Sequence, residues 1–259
     1  MIERGWSDLH KRWAQSRPPL RPHPQGVEAM WRLLQGLPGP RLLLGVTPEL
    51  ATLPGRTVAI DWSAEMIAQI WPGNSADRVV VRGDWTDMPF ASGQFGSVLG
   101  DGSLNMTRWP MDYHRIFDRL KQVVRPGGRI VIRCFTVPET GEGSDELAAR
   151  LLSGERMGFH AFKWRLAAAI VHETQGTNIP VRAIWDMFER LFPDRHALSL
   201  ATGWSTDEIA EIDDYRSSPL DKSFPTRSQL IDAIPEMQLV ESGSYEMADR
   251  CPLLLMDVS

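Results

Sequence analysis

The sequence predicts an α/β fold. A doubly wound, mostly parallel sheet of seven strands ends in an antiparallel pair and carries additional helical segments. Three observations predict it. From residue 41 to residue 135, short apolar runs alternate with amphipathic helical stretches; continuous apolar strands of this kind imply a parallel sheet covered on both faces. Two further strand patterns close the chain. Between these regions, residues 137–225 keep helical periodicity but show no clear strand, which reads as an insertion.

Taken in order, Trp6–Trp13 patterns as a short amphipathic helix, ended by the breaker-rich RPPLRPHPQG (Arg17–Gly26). VEAMWRLLQ (Val27–Gln35) is a second helix, stopped by Gly36. RLLLGV (Arg41–Val46) is the first strand and PELATL (Pro48–Leu53) the helix after it. RTVAID (Arg56–Asp61), DRVVVRGD (Asp77–Asp84) and FGSVLGD (Phe95–Asp101) are strands, with the helix SAEMIAQIW (Ser63–Trp71) after the first of them. PMDYHRIFDRLKQVV (Pro110–Val124) is an amphipathic helix that RPGG turns into the strand RIVIRCF (Arg129–Phe135). The insertion patterns as helices in SDELAARLLSGE, FHAFKWRLAAAIVHET, VRAIWDMFERLF and STDEIAEIDDYR. PTRSQLIDAI is a helix capped by Thr226 or Ser228, and MQLVESGSYEM and CPLLLMDVS supply the last two strands. The expected organisation is a cap segment over residues 1–26, a core formed by 27–136 and 226–259, and a helical lid over 137–225.

Composition excludes several function classes. A formal charge of −5, with no basic block, argues against neutralising many phosphates, so no nucleic-acid partner is expected. The insertion alone holds 15 acids against 9 lysines and arginines and carries most of that charge. No window approaches the roughly 20 apolar residues of a membrane helix, and the charged start MIERGWSDLHKRW is unlike a signal peptide. Two cysteines make neither a disulfide framework nor a zinc site, so the expected location is cytoplasmic. The histidines show no HxxxH or HExxH spacing, and no metal is expected.

Four pieces in register, LLLGVTPEL, AIDWSAEMI, RGDWTDMPFASGQF and VVRPGGRIVIR, resemble the Rossmann-like (class I) S-adenosylmethionine-dependent methyltransferases. The resemblance covers Val27–Phe135 and Thr226–Ser259, and it includes the antiparallel final strands by which that family differs from dehydrogenases. It implies S-adenosylmethionine as cofactor, with Asp61 accepting both ribose hydroxyls through charge-assisted bonds. Trp62 is implied against the adenine and Met66 beneath it. Gly83 and Asp84 end the third strand, where the carboxylate would accept the adenine amino group and the Trp85 amide would read the ring edge. Asp101, Gly102 and Ser103 end the fourth strand, where open α/β sheets gather ligands beside the switch in strand order.

The first turn departs from the family pattern acid-x-G-x-G-x-G. Leu43 stands at the acid, Gly45 is kept, and Thr47 and Pro48 replace later glycines. Proline suits the first helical position and threonine the cap before it. Gly45, Val46, Thr47 and Glu49 are therefore expected to present a rebuilt helix end to the methionine carboxylate, with Glu49 or backbone carbonyls holding the amino group. Gly96, where the family has an acid, reads as structural and neutral. Arg133 lies inside an apolar strand and needs a carboxylate: Asp101, Glu49 or an acidic substrate.

No catalytic residue is assigned; His160 and Tyr113 are the candidates for assisting deprotonation. The aromatic residues of the cap and insertion (Trp6, Trp13, Phe159, Trp164 and Trp185) point to an enclosed small-molecule substrate. Methyl transfer to such an acceptor is the leading expectation. The alternatives are another use of the cofactor on the same fold (aminocarboxypropyl transfer, cyclisation or elimination) and a non-catalytic binding protein.

Overall fold

The computed structural model describes residues 16–259, so the helix expected over Trp6–Trp13 lies outside the described residues. The first described helix, α1 (Pro24–Leu33), starts earlier than its apolar periodicity suggests. Pro24 occupies the first turn, where its missing N–H costs nothing, and His23 accepts from the Gln25 amide at 3.2 Å.

The core then alternates: β1 (Arg41–Leu44), α2 (Pro48–Ala51), β2 (Thr57–Asp61), α3 (Ala64–Ile70), β3 (Arg78–Arg82), β4 (Phe95–Asp101), α4 (Met111–Val123) and β5 (Val124–Arg133). With β8 (Gln238–Val240) and β9 (Leu253–Asp257) these strands form one sheet in the order β3-β2-β1-β4-β5-β9-β8. Strands β1 to β5 are parallel, and β9 is antiparallel to both its neighbours. Successive residues point to opposite faces, so two apolar layers form. Leu42, Leu44, Ile60 and Ile132 pack toward α4, while Leu43, Ala59, Leu99 and Val131 pack toward α1.

The RPGG turn proves to be part of β5: Val124 pairs with Phe95, and the register shifts before Arg129 pairs with Ser97. Gly96 lies within that irregularity. A Cβ there would sit 1.7 Å from the Pro38 carbonyl oxygen, so this position excludes the acid usual in the family and is far from neutral.

The insertion contains α5 (Ser144–Leu152), α6 (Phe159–Thr174), α7 (Val181–Leu191), α8 (Arg195–Thr202) and α9 (Thr206–Ala210), followed by a 3₁₀ turn over Glu211–Tyr215. Contrary to the strandless reading, it also holds β6 (Asn178–Pro180) paired antiparallel with β7 (Asp221–Ser223). Each is three residues long, too short for alternation to show in sequence. Its aromatic residues bury largely against one another, with Phe159, Phe162, Phe188, Phe192 and Trp204 at the centre. Phe135, Val137 and Cys251 join this second core to the sheet.

The final helix, α10 (Arg227–Ala233), is capped by Thr226, whose hydroxyl accepts the Gln229 amide while the Gln229 side chain accepts the Thr226 amide. Ser228 lies inside the helix. Thr226→Ala is expected to cost about 1 kcal/mol of stability in a urea titration, and Ser228→Ala much less. Among the described residues no helix is long and apolar enough to cross a membrane.

Candidate functional site

The strand order reverses between β1 and β4, and a cavity opens at their carboxyl ends. The turn after β1 is drawn across β2 by a hydrogen bond from the Gly45 amide to the Ile60 carbonyl at 2.9 Å. Gly45 adopts φ +96°, open to glycine and strained for other residues, and a Cβ there would point at Asp61 Oδ2, 3.9 Å away. Ser103 Oγ donates to the Leu44 carbonyl at 2.7 Å and so ties the end of β4 to β1.

Gly45, Val46, Thr47, Asp61, Met66 and Trp85 line this cavity, as do Asp101, Gly102 and Ser103. Asp61 is 6% exposed, and its Oδ1 accepts the Ser63 amide at 2.8 Å. No described residue donates to Oδ2. Burial raises the carboxyl to about 6, against the opposing pull of the Ser63 amide. Such a group is short of donors, and a vicinal diol supplies two. Trp85 is held by a bond from its indole Nε1 to the Ile60 carbonyl at 2.8 Å, so it enters the lining through its ring. Helix α2 does begin at Pro48, but Thr47 makes no side-chain capping bond and the helix is a single turn.

Four expected site residues lie outside the lining. Glu49 accepts from Arg21 Nε at 2.7 Å and faces a separate cleft with Arg21 and Trp31. Asp84 is exposed and closes its own turn, accepting from the Thr86 amide at 2.7 Å and from the Thr86 hydroxyl at 2.8 Å. Gly83 stands at the same turn, and Trp62 is half-buried beyond the cavity's edge. Neither candidate base reaches the cavity. Tyr113 is fully buried, 3.0 Å from the Ser223 hydroxyl. His160 lines a different cleft and is pushed down to about 3 by burial, then by Lys163 and Arg17.

Arg133 resolves onto Asp101. The two pair through Nε and Oδ1, with Arg133 fully buried. Burial, the largest single influence, works against the guanidinium, but the Asp101 charge and hydrogen bond together with Cys251 and Tyr245 outweigh it and hold Arg133 above its ordinary value. Sequence reasoning missed Leu20, Asn105, Tyr215 and Lys222, which also line the cavity. They come from a loop, two 3₁₀ turns and a three-residue strand.

Residues 45–132 match the family model of the methyltransferase domain. A curated relative, the demethylmenaquinone methyltransferase of Mycolicibacterium vanbaalenii, is 37% identical over 93 residues, 36% of this chain and 38% of that protein. The chain thus matches less than two fifths of the length of such relatives. Among solved structures, a Rhodobacter sphaeroides chain named for Zn-dependent alcohol dehydrogenases superposes with a TM-score of 0.59 at 14% identity, covering 98% of this chain and 97% of that one. A chain named for SAM-dependent methyltransferases from Methanosarcina mazei superposes with a TM-score of 0.50 at 12% identity, covering 91% and 95%. At such identities these structures show the fold alone.

Proposed function

We propose that this chain, which carries a methyltransferase domain on the class I methyltransferase fold, is an S-adenosylmethionine-dependent methyltransferase acting on a small-molecule acceptor. The observation that carries the reading is Asp61: a buried carboxylate at the carboxyl end of β2, short of donors, facing a glycine that leaves room for a ligand. Its chemistry fits the cofactor's ribose. S-adenosylmethionine, when bound, supplies an electrophilic methyl group.

The protein's own residues would bind, orient and keep water away. Asp61 would accept the ribose hydroxyls, and Met66 with the Trp85 ring would cover the adenine end with apolar surface. The main chain of Gly45, Val46 and Thr47, with Asp101, Gly102 and Ser103, would hold the amino-acid end. Asp84, Gly83, Trp62 and Glu49 receive no contact in this proposal, because none of them lines the cavity. The relatives named for demethylmenaquinone methylation favour a small acceptor, as does the enclosure by Leu20 and the insertion.

Calorimetry with S-adenosylhomocysteine tests binding, and mass spectrometry of turnover tests the reaction. A methylthioadenosine product would replace methyl transfer with another use of the cofactor, and no binding would overturn the reading. If residues 137–225 act as a lid, S-adenosylhomocysteine should slow hydrogen exchange there more than in β1 and β4. Unchanged exchange in that segment would make it an independent module.

A further inference from the structure

Lys222 has no part in the cofactor contacts above, yet it lines the same cavity from β7. Leu220, two residues earlier, lines it as well, as expected for extended chain in which alternate residues share a face. The Val181 amide donates to the Leu220 carbonyl at 2.9 Å, which sets Val181 beside them in the lining. Lys222 is 8% exposed, and its Nζ lies 4.5 Å from the Trp164 ring centroid and 5.7 Å from that of Tyr215. Phe135 stacks on Trp164 with centroids 4.1 Å apart, so these rings are engaged with one another and with the amine. Among the described residues, no ion pair or hydrogen bond reaches Lys222. Contact with ring faces offsets only part of the cost of burying an ammonium, and a buried charge ordinarily has an ionic partner.

The other charges of the cavity do not supply that partner. Among the described residues Lys222 is the only cation in the lining. Asp61 belongs to the ribose in the reading above, Asp101 pairs with Arg133, and Asp214 is engaged within the chain. Burial, and then the charge of Lys163 on α6, push Lys222 down to about 7, and no carboxylate opposes them. Lys163 itself lies 3.7 Å from Glu211. The remaining titratable neighbours are Tyr215, kept a neutral phenol by burial and then by Asp214 and Glu211, and Asp221, which is exposed. Tyr113 of α4 is fully buried beside Ser223, and β6 brings no titratable side chain. One cation without an anion, in apolar surroundings, matches a single negative charge. A ligand with two, such as a phosphate monoester, would leave one of them unanswered there.

We propose that Lys222 determines specificity in this cavity, which takes an acceptor made of an apolar body and one carboxylate, the carboxylate accepting hydrogen bonds from the Lys222 ammonium. This rests on the methyltransferase reading above and specifies its acceptor. Leu20, Val181 and Leu220 give the body its apolar walls. The bound carboxylate stabilises the ammonium, so above neutrality the amine takes a proton from solvent as the acceptor binds.

The probe is hexanoate, compared with hexanamide on protein saturated with S-adenosylhomocysteine. Hexanoate should bind at least about tenfold more tightly, and Lys222→Met should abolish that preference while keeping S-adenosylhomocysteine affinity. Wild-type protein supplies a second readout. At about pH 8 hexanoate should bind with uptake of close to one proton, measured by calorimetry in two buffers of different ionisation enthalpy, and hexanamide with none. This measurement needs no variant, so a misfolded Lys222→Met would not shield the proposal. Equal or undetectable affinity of the two probes, absence of proton uptake, or an unchanged preference in folded Lys222→Met would each overturn it. Tighter binding of hexyl phosphate than of hexanoate would overturn it as well. Failure of wild-type protein to bind S-adenosylhomocysteine would instead overturn the methyltransferase reading, and this proposal with it.

Discussion

Asp101→Ala is expected to lower the free energy of unfolding by about 3–5 kcal/mol, the range for breaking a buried ion pair from one side. Arg133 sits on the central strand β5 with no exposure, and its pairing register places it directly beside Asp101 on β4. Its Nη2 donates to the Pro19 carbonyl at 2.9 Å, and the guanidinium stands 4.8 Å from the Phe135 ring centroid. Nη1 is buried without a hydrogen bond, so the carboxylate is what keeps this cation tolerable in the core. Removing Asp101 leaves the charge in place and unanswered. The double variant Asp101→Leu, Arg133→Met should recover most of the loss, because no buried charge remains to be solvated. Urea midpoints at an unchanged slope would measure both. A loss below about 1 kcal/mol for the single variant would show that the pair does not hold this end of the sheet together.

Asp61→Ala is expected to weaken S-adenosylhomocysteine binding at least tenfold, about 1.4 kcal/mol, with the fold intact. The same carboxylate sets a pH dependence whose sign can be worked out. Its folded value of about 6 lies above the ordinary 3.8. Its contribution to stability is therefore present in full below about 4 and is lost as pH rises through about 6. Ligand affinity should run the other way, since the ionised carboxylate is the better acceptor of ribose hydroxyls. Affinity should rise from pH 5 to about 6.5 and then level off, and Asp61→Ala should flatten the curve. Calorimetry across that range checks both statements; unchanged affinity in the folded variant would remove Asp61 from the site.

Much of the core was legible because local patterns encode it. Apolar runs marked β1, β2 and β4, and the alternation with helices marked the parallel sheet. Asp61 and Asp101 could be placed because strand ends in such a sheet converge on one edge. Gly45 was recognisable as the remaining flexible point of the first turn, and φ +96° is the conformation it supplies. Other expectations depended on partners far away in the chain. Glu49 was expected at the ligand, yet Arg21, 28 residues earlier, pairs with it. Asp84 was expected at the adenine, yet Thr86 engages it within its own turn. Gly96 reads from sequence as structural and neutral, yet the Pro38 carbonyl oxygen stands where any side chain at this position would go.

The sequence by itself determined the fold class, the order of the core elements, the position of the insertion and the acids at the strand ends. Each of these follows from residue periodicity and turn chemistry, which act within a few residues. Only the tertiary structure decided which acid Arg133 meets, that β6 and β7 pair, and that Lys222 stands over Trp164 at the cavity wall. Those contacts join residues tens of positions apart. Burial then sets the chemistry of each group, raising the Asp61 carboxyl and lowering the Lys222 amine. Burial belongs to the packed chain, and no stretch of sequence carries it.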